Sequence, residues 1–390
     1  MKPRFKKIHE RSSAIDDTAH LTSLLMAKFR QVSTSSSIVS IDFNSVYEKF
    51  FSCPVLLSSS PRGGSTFANA AIGVHPDILC VNWNDKLLHN LWAKRHYSDT
   101  NFRKLILREP HYFNRERATQ ILGHENLTSL EKLIEGICLT KDFASLYCLH
   151  GILYWVMSAM PIPVEQIKYW LCKANTFKNM DLVLSKLPNS KFIIVQRDPR
   201  PTALSLSKVK ANRKHISNED VLISAVDWSR QAMGYAKFIM ESAEKSTVIN
   251  YEGLVADPTN HLNRVYQFLG LPTLDCDTIN KELTGIPLKR TSSVYDQEFG
   301  TNNPQPYGVQ MEGVNRWKTQ LSEEQINIIN NMTSPFARIY GYELTSNGIF
   351  YNFYLILKFT RLSLTARQFL RWFSAKLQLS YRLRGRKFVG

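Results

Sequence analysis

Two short clusters in this chain combine arginine with small or hydroxyl residues in the way an anion site requires. The first, Pro61-Arg62-Gly63-Gly64-Ser65-Thr66, follows the apolar run Pro54–Leu57 and leads into the small residues FANAAIG. Glycines let the backbone approach a ligand, and the leading N–H groups of a following helix point at an anion. Ser65 and Thr66 add hydroxyl donors, and Arg62 can give a charge-assisted, two-pronged contact. An ordinary Gly-Ser turn entering a helix would use the same residues. The loop departs from G-x-x-x-x-G-K-[ST], because it has no Gly-Lys pair and Arg62 precedes the glycines.

The second cluster lies in KFIIVQRDPRPTALSLSK. There the run Phe192–Val195 ends at Arg197-Asp198-Pro199-Arg200, with Ser205 eight residues beyond Arg197. Pro199 suits the first turn of a helix. This spacing predicts Arg197 at the carboxyl end of a strand and Ser205 about two turns along the next helix. In doubly wound sheets ligands bind at those carboxyl ends. A structural Arg–Asp ion pair at a helix start is the plainer alternative.

Positioning both clusters needs strands that end on one side. Four apolar runs read as buried strands: Pro54–Leu57, Ile167–Leu171, Lys191–Val195 and Thr247–Asn250. Helical patterns alternate with them, which predicts α/β units around a parallel sheet. Ser217 with Asp220, and Ser322 with Gln325, have the spacing of capping boxes. Three regions are expected. Residues 1–45 form an extension with a basic start, a short amphipathic stretch (Leu21 to Phe29) and the Ser/Thr-rich VSTSSSI. Residues 46–345 form the main domain, and 346–390 a basic amphipathic helical tail.

Composition narrows the partners. The chain has 390 residues, 44% of them hydrophobic, and a formal charge of +16, which favours an anionic partner. The six cysteines (53, 80, 138, 148, 172 and 276) show no C-x-x-C pair, so reduced, buried thiols are expected. The charged start MKPRFKKIHERSSAIDD lacks an apolar h-region, and no stretch reaches the roughly 18–20 apolar residues that span a bilayer. A cytoplasmic protein is expected, and the sequons at Asn126 and Asn331 then read as chance. Net charge alone raises nucleic-acid binding, but no RNP, zinc-finger or helix-turn-helix signature supports it.

The two clusters resemble the donor site of sulfotransferases that use 3′-phosphoadenosine-5′-phosphosulfate (PAPS). The first is similar to their 5′-phosphosulfate loop, and the R-D-P-R with its distal serine to their 3′-phosphate motif. The resemblance implies a P-loop-containing three-layer sandwich with a central parallel sheet flanked by helices. By it Arg62, Gly63, Gly64, Ser65 and Thr66 hold the 5′ side, and Arg197 and Ser205 the 3′-phosphate. Leu171-Cys172-Lys173 with LSKLPNSKFIIV looks like the preceding segment of the tyrosylprotein and carbohydrate branches, where a lysine stands at a similar distance. Ile249-Asn250-Tyr251-Glu252-Gly253-Leu254 is similar to the family's Y-E-D-L segment, which puts Tyr251 on the nucleotide. Arg290-Thr291-Ser292-Ser293 and Asn315-Arg316-Trp317-Lys318 match further donor contacts, giving Ser292, Ser293 and Arg316. The likeness runs from about residue 52 to 342.

The implied reaction is sulfuryl transfer from PAPS to an acceptor hydroxyl or amine, with no metal. It needs a cation on the leaving oxygen and a base for the acceptor's proton. Arg62 and Lys173 are candidates for the first task, although Lys173 also reads as a snorkelling surface lysine. The glutamate that follows His-Pro-Asp in the tyrosylprotein branch is missing here. His75-Pro76-Asp77 is present, but Trp83 holds the glutamate's place, and Asp85, with His89 behind it, is the substitute candidate. His75 reads as a packing or capping residue.

Two other readings stay open: a small-molecule kinase, and a sulfotransferase-like protein that binds the donor without turnover. The acceptor (carbohydrate, lipid, protein tyrosine or small hydroxyl compound) is not specified.

In the tail, Leu355, Phe359, Leu362, Ala366, Phe369, Phe373 and Leu377 recur on one helical face. From Leu344 to Gly390 there are nine Lys or Arg and no Asp or Glu. This face either lies on an anionic membrane, through about residues 350–387, or packs on the domain or a second subunit.

Overall fold

The computed structural model describes residues 40–81, 94–108, 113–174, 180–211, 216–285 and 312–359, together with 370, 372–374 and 376. Its centre is a sheet of β1 (Pro54–Ser59), β2 (Ile78–Val81), β3 (Tyr169–Ala174), β4 (Lys191–Gln196) and β5 (Ser246–Asn250). The spatial order is β2-β3-β1-β4-β5, and every neighbouring pair is parallel. Four of these correspond to the expected runs. The edge strand β2 was not expected, and its four residues follow directly on His75-Pro76-Asp77. β3 begins two residues later than the sequence suggested, because Tyr169 is the first residue to pair with β2. The strand therefore extends through Lys173.

Side chains alternate across the sheet as the pleat requires. Val55, Leu57, Leu171, Ile193, Val195 and Ile249 face one layer, which includes helices α1 (Ser65–Ile72) and α5 (Pro258–Leu269). Leu56, Trp170, Cys172, Phe192 and Ile194 face the other, with α2 (Phe143–Met157) and the end of α4 (Asn218–Glu241). A further cluster joins α3 (Pro199–Ala211) and α4 to α6 (Glu323–Ala337) and α7 (Ile349–Phe359). The result is the expected three-layer α/β arrangement. Both capping boxes are formed, each with the serine accepting a backbone N–H and the third residue's side chain accepting from the serine's own N–H.

No disulfide forms among the described residues: four thiols are buried and Cys80 is partly buried, whereas Cys276 is exposed, contrary to the expectation of burial for all six. Asn126 and Asn331 are buried and hydrogen bonded, which closes both sequons to glycan attachment in the folded chain. The tail packs at its start: Leu355, Ile356 and Trp372 lie in the cluster with α4 and α6, and Trp372 Nε1 donates to the Met332 carbonyl at 2.9 Å. Phe373 packs against the same cluster. The side chains of Phe359, Leu362, Ala366, Phe369 and Leu377 lie outside the described residues, as does Leu21 to Phe29.

Candidate functional site

β1 and β4 lie side by side, with Ser59 in register with Val195. From β1 the chain continues to β2 and β3 on one side, and from β4 to β5 on the other. Adjacent strands whose connections diverge leave a crevice at their carboxyl ends. Both anion clusters emerge there.

The first cluster is shaped by its backbone. Gly63 N–H donates to the Ser60 carbonyl at 2.8 Å, closing a turn in which Arg62 takes a left-handed φ of 66°. Gly64 follows at φ 92° as the residue before α1, with no side-chain cap on the helix. A methyl on Gly63 would sit 2.7 Å from the Ser60 carbonyl, and one on Gly64 only 2.2 Å from the Tyr251 ring. Both glycines are therefore demanded by geometry. They leave the first N–H groups of α1 turned towards the crevice.

The second cluster is shaped by side chains. Arg197 leaves the end of β4, donates through Nη2 to the Gly313 carbonyl at 2.7 Å and lies over the Tyr251 ring at 4.4 Å. Its backbone carbonyl accepts from Trp228 Nε1 at 3.3 Å. Asp198 takes a two-pronged ion pair from Arg200, whose guanidinium stacks on Trp317 at 4.1 Å. The plain Arg–Asp pair foreseen for this motif thus exists, but between Asp198 and Arg200. Arg197 is not part of it.

The clusters meet. Arg62 Nε donates to Ser205 Oγ at 2.9 Å, and Arg197 Nη1 to the Arg62 carbonyl at 3.3 Å. Lys173, 6% exposed, reaches from β3 to donate to Thr66 Oγ1 at 3.3 Å, so it is not the snorkelling surface lysine of the plainer reading. Arg316 comes close enough to Lys208, one helical turn beyond Ser205, for its charge to help depress that lysine's pKa, after burial as the larger cause. Gly63, Gly64, Ser65, Thr66, Tyr251, Arg62, Lys173, Arg197 and Ser205 therefore form one edge of the sheet. Asp85, Trp83, His89, Ser292 and Ser293 lie outside the described residues. His75 packs as expected: its Nδ1 accepts from Asp77 N–H, its Nε2 meets the Pro272 carbonyl at 3.1 Å, and burial lowers its pKa.

Some supporting groups carried no sequence signal. Tyr342 donates its hydroxyl to Glu252 Oε2 at 2.7 Å and accepts from Asn250 Nδ2 at 2.8 Å, while Glu252 Oε1 accepts from Asp198 N–H at 3.0 Å. This ties the segment after β5 to the segment after β4. Burial is the largest influence on Glu252 and raises its carboxyl pKa. Gln196 is buried at the end of β4, and neither end of its amide has a partner among the described residues. The same holds for Ser60 Oγ and Arg197 Nε. Buried polar atoms are nearly always satisfied, so four orphaned atoms on three residues at one edge match a place that takes a polar ligand. Among the described residues no group of His, Cys, Asp or Glu gathers as metal ligands would.

Comparisons with known proteins bear on the family of the chain. A family model described as "Sulfotransferase family" matches residues 54–275. A protein-tyrosine sulfotransferase of Drosophila melanogaster is 22% identical over 306 residues, covering 75% of this chain and 52% of that protein. Protein-tyrosine sulfotransferase 1 of Danio rerio is 22% identical over 299 residues, covering 75% and 73%. The chain thus spans about half the length of the fly relative. Among solved structures, the sulfotransferase domain of the Synechococcus PCC 7002 olefin synthase aligns over 75% of this chain and 96% of that one, with 17% identity and a TM-score of 0.46.

Proposed function

The chain belongs to the sulfotransferase family, and from that premise we propose that it moves a sulfuryl group from PAPS to an acceptor hydroxyl or amine by in-line displacement. The observation that carries this reading is the junction of the two clusters, Arg62 to Ser205 at 2.9 Å and Arg197 to the Arg62 carbonyl at 3.3 Å. One ligand bearing two phosphate groups can reach both.

In this reading the N–H groups after Gly64, with Ser65 and Thr66, hold the 5′-phosphosulfate. Arg197 and Ser205 hold the 3′-phosphate, and Tyr251 lines the nucleotide. Arg316 and the Ser292-Ser293 pair add donor contacts. Arg197 is pre-set by the Gly313 carbonyl and the Tyr251 ring, so little side-chain entropy is lost when it binds. The donor supplies an activated sulfur whose bond to the phosphate oxygen breaks as the acceptor oxygen or nitrogen attacks. Negative charge then grows on the phosphate oxygen. Lys173, beside Thr66, and Arg62 are the cations that stabilise it. Asp85 takes the acceptor's proton as the new bond forms.

The relatives' names make a tyrosine-containing peptide the first acceptor to test. The decisive experiment incubates the full chain with PAPS labelled in its sulfur and a panel of tyrosyl peptides, carbohydrates, phenols and lipid extracts. A parallel set uses labelled ATP with magnesium. Sulfur transfer to one acceptor class is expected. Phosphate transfer from ATP would favour the kinase alternative, and PAPS binding with no transfer across the panel would leave a donor-binding protein without turnover.

A further inference from the structure

The pleat sorts the polar groups at the carboxyl ends of β1 and β4 onto two sides of the sheet. Leu57 faces the α1 layer, and its register partner Lys173 reaches Thr66 on that same side. Leu56 and Ile194 face α2 and α4, and so, two residues further on, do Ser58 and Gln196. Ser59 is in register with Val195, so continuing the pairing by one residue sets Ser60 beside Gln196, with both side chains on the α4 side. Helix α4 roofs the pair. Below it the Tyr235 hydroxyl meets Ser58 Oγ at 3.0 Å, and above it Trp228 Nε1 donates to the Arg197 carbonyl.

Gln196 is 1% exposed and Ser60 3%. The amide carries N–H donors and a carbonyl acceptor, and the hydroxyl can act as either. Among the described residues none of Gln196 Nε2, Gln196 Oε1 and Ser60 Oγ has a hydrogen-bond partner. Their main-chain carbonyls, in contrast, are engaged at the strand ends. That of Ser60 accepts from Gly63 N–H and closes the turn that carries Arg62, while that of Gln196 accepts from the Tyr342 hydroxyl at 3.3 Å. Arg197 follows Gln196 directly.

Orphaned donors and acceptors side by side select a small ligand that both gives and takes hydrogen bonds. An anion would leave the amide oxygen without a donor, and a cation would find no charge here to neutralise it. Burial this deep excludes anything large. Water fits, because it makes about three hydrogen bonds and settles where buried polar groups lack protein partners.

We propose that a buried water bridges Gln196 and Ser60 beneath the Arg62–Gly64 turn, and that through it Gln196 is a positioning residue for both anion clusters. The water joins the residue that closes the first cluster's turn to the residue that precedes Arg197, and so sets the two clusters against each other from below. The positioning role rests on the transfer reading given above; the water does not.

Diffraction from crystals of the full chain at high resolution should show a water within hydrogen-bond distance of both side chains. A direct Gln196–Ser60 bond in its place, or no water between them, overturns the proposal. Calorimetric titration with 3′-phosphoadenosine-5′-phosphate tests the role. Gln196→Met, which keeps the side chain's length without its amide, and Ser60→Ala should each weaken binding about threefold to tenfold. The double variant should bind no worse than the weaker single, because either change releases the same water. Losses that multiply in the double variant overturn the shared water. Single variants that bind like the unaltered chain, even with lowered unfolding midpoints, reduce the pair to a structural contact and overturn the positioning role. Diffraction needs no variant, so a substitution that fails to fold leaves the proposal open to refutation. Should the unaltered chain bind no 3′-phosphoadenosine-5′-phosphate, the transfer reading falls and the positioning role with it, while diffraction still decides the water.

Discussion

The two halves of this strand-end edge are made differently. After β1 the chain uses its backbone: two glycines, a left-handed arginine and the bare start of α1. After β4 it uses side chains, with Arg197 braced by the Gly313 carbonyl, the Tyr251 ring and a neighbouring Asp198–Arg200 pair. A backbone cradle tolerates almost no added atom but offers nearly uniform affinity for any phosphate. A braced guanidinium can tell one phosphate position from another. The division of labour should appear as a division of mutant phenotypes.

The harshest way to break the first half is Gly64→Ala. A Cβ there is strained at φ 92° and lies 2.2 Å from the Tyr251 ring. We expect a loss of about 2–4 kcal/mol in unfolding free energy by chemical denaturation, and binding of both 3′-phosphoadenosine-5′-phosphate (PAP) and 5′-AMP too weak to detect by calorimetry. Arg197→Ala should sharpen the contrast: PAP affinity falls about 100-fold and 5′-AMP affinity less than about threefold. Equal losses for both ligands would erase the distinction between the halves.

Lys173→Ala separates charge from binding, since this lysine touches Thr66 at the loop's edge. Turnover should drop about 10–100-fold with less than about a threefold change in donor affinity, and an unaltered rate would remove Lys173 from the reaction. The smallest effect concerns the brace. Tyr342→Phe removes the hydroxyl bonded to Glu252 and should cost about 1 kcal/mol of stability.

Because burial raises the Glu252 pKa, the folded chain holds that proton more tightly than the unfolded one. Between the ordinary glutamate value and the raised one, its contribution to stability therefore falls as pH rises. Glu252→Gln should flatten that slope in denaturation curves taken at stepped pH.

Much of this was legible beforehand. Apolar runs ending at Arg-Gly-Gly-Ser-Thr and Arg-Asp-Pro-Arg announced the ends of β1 and β4, and the capping boxes fixed two helix starts. β2 escaped because its Ile-Leu-Cys-Val run is a short edge strand that could equally continue the loop after His75-Pro76-Asp77. Lys173 was assigned by resemblance alone, and only the extension of β3 aims it at Thr66. Tyr342 could not be found from sequence: a lone tyrosine gains meaning only when a partner some 90 residues away, here Glu252, is brought beside it. The tail was half legible for a related reason. α7 is apolar on both faces, so periodicity detected a helix without indicating which side turns inward.

One dihedral carries a wider consequence. Arg62 holds φ 66°, where a non-glycine residue is disfavoured by about 1–2 kcal/mol. Replacing it with glycine should yield a sturdier protein with a higher melting temperature and a poorer catalyst. Where Arg62 steadies the leaving oxygen as proposed, selection for robustness and selection for turnover pull in opposite directions at this residue, and directed evolution for heat tolerance alone would be drawn to discard it.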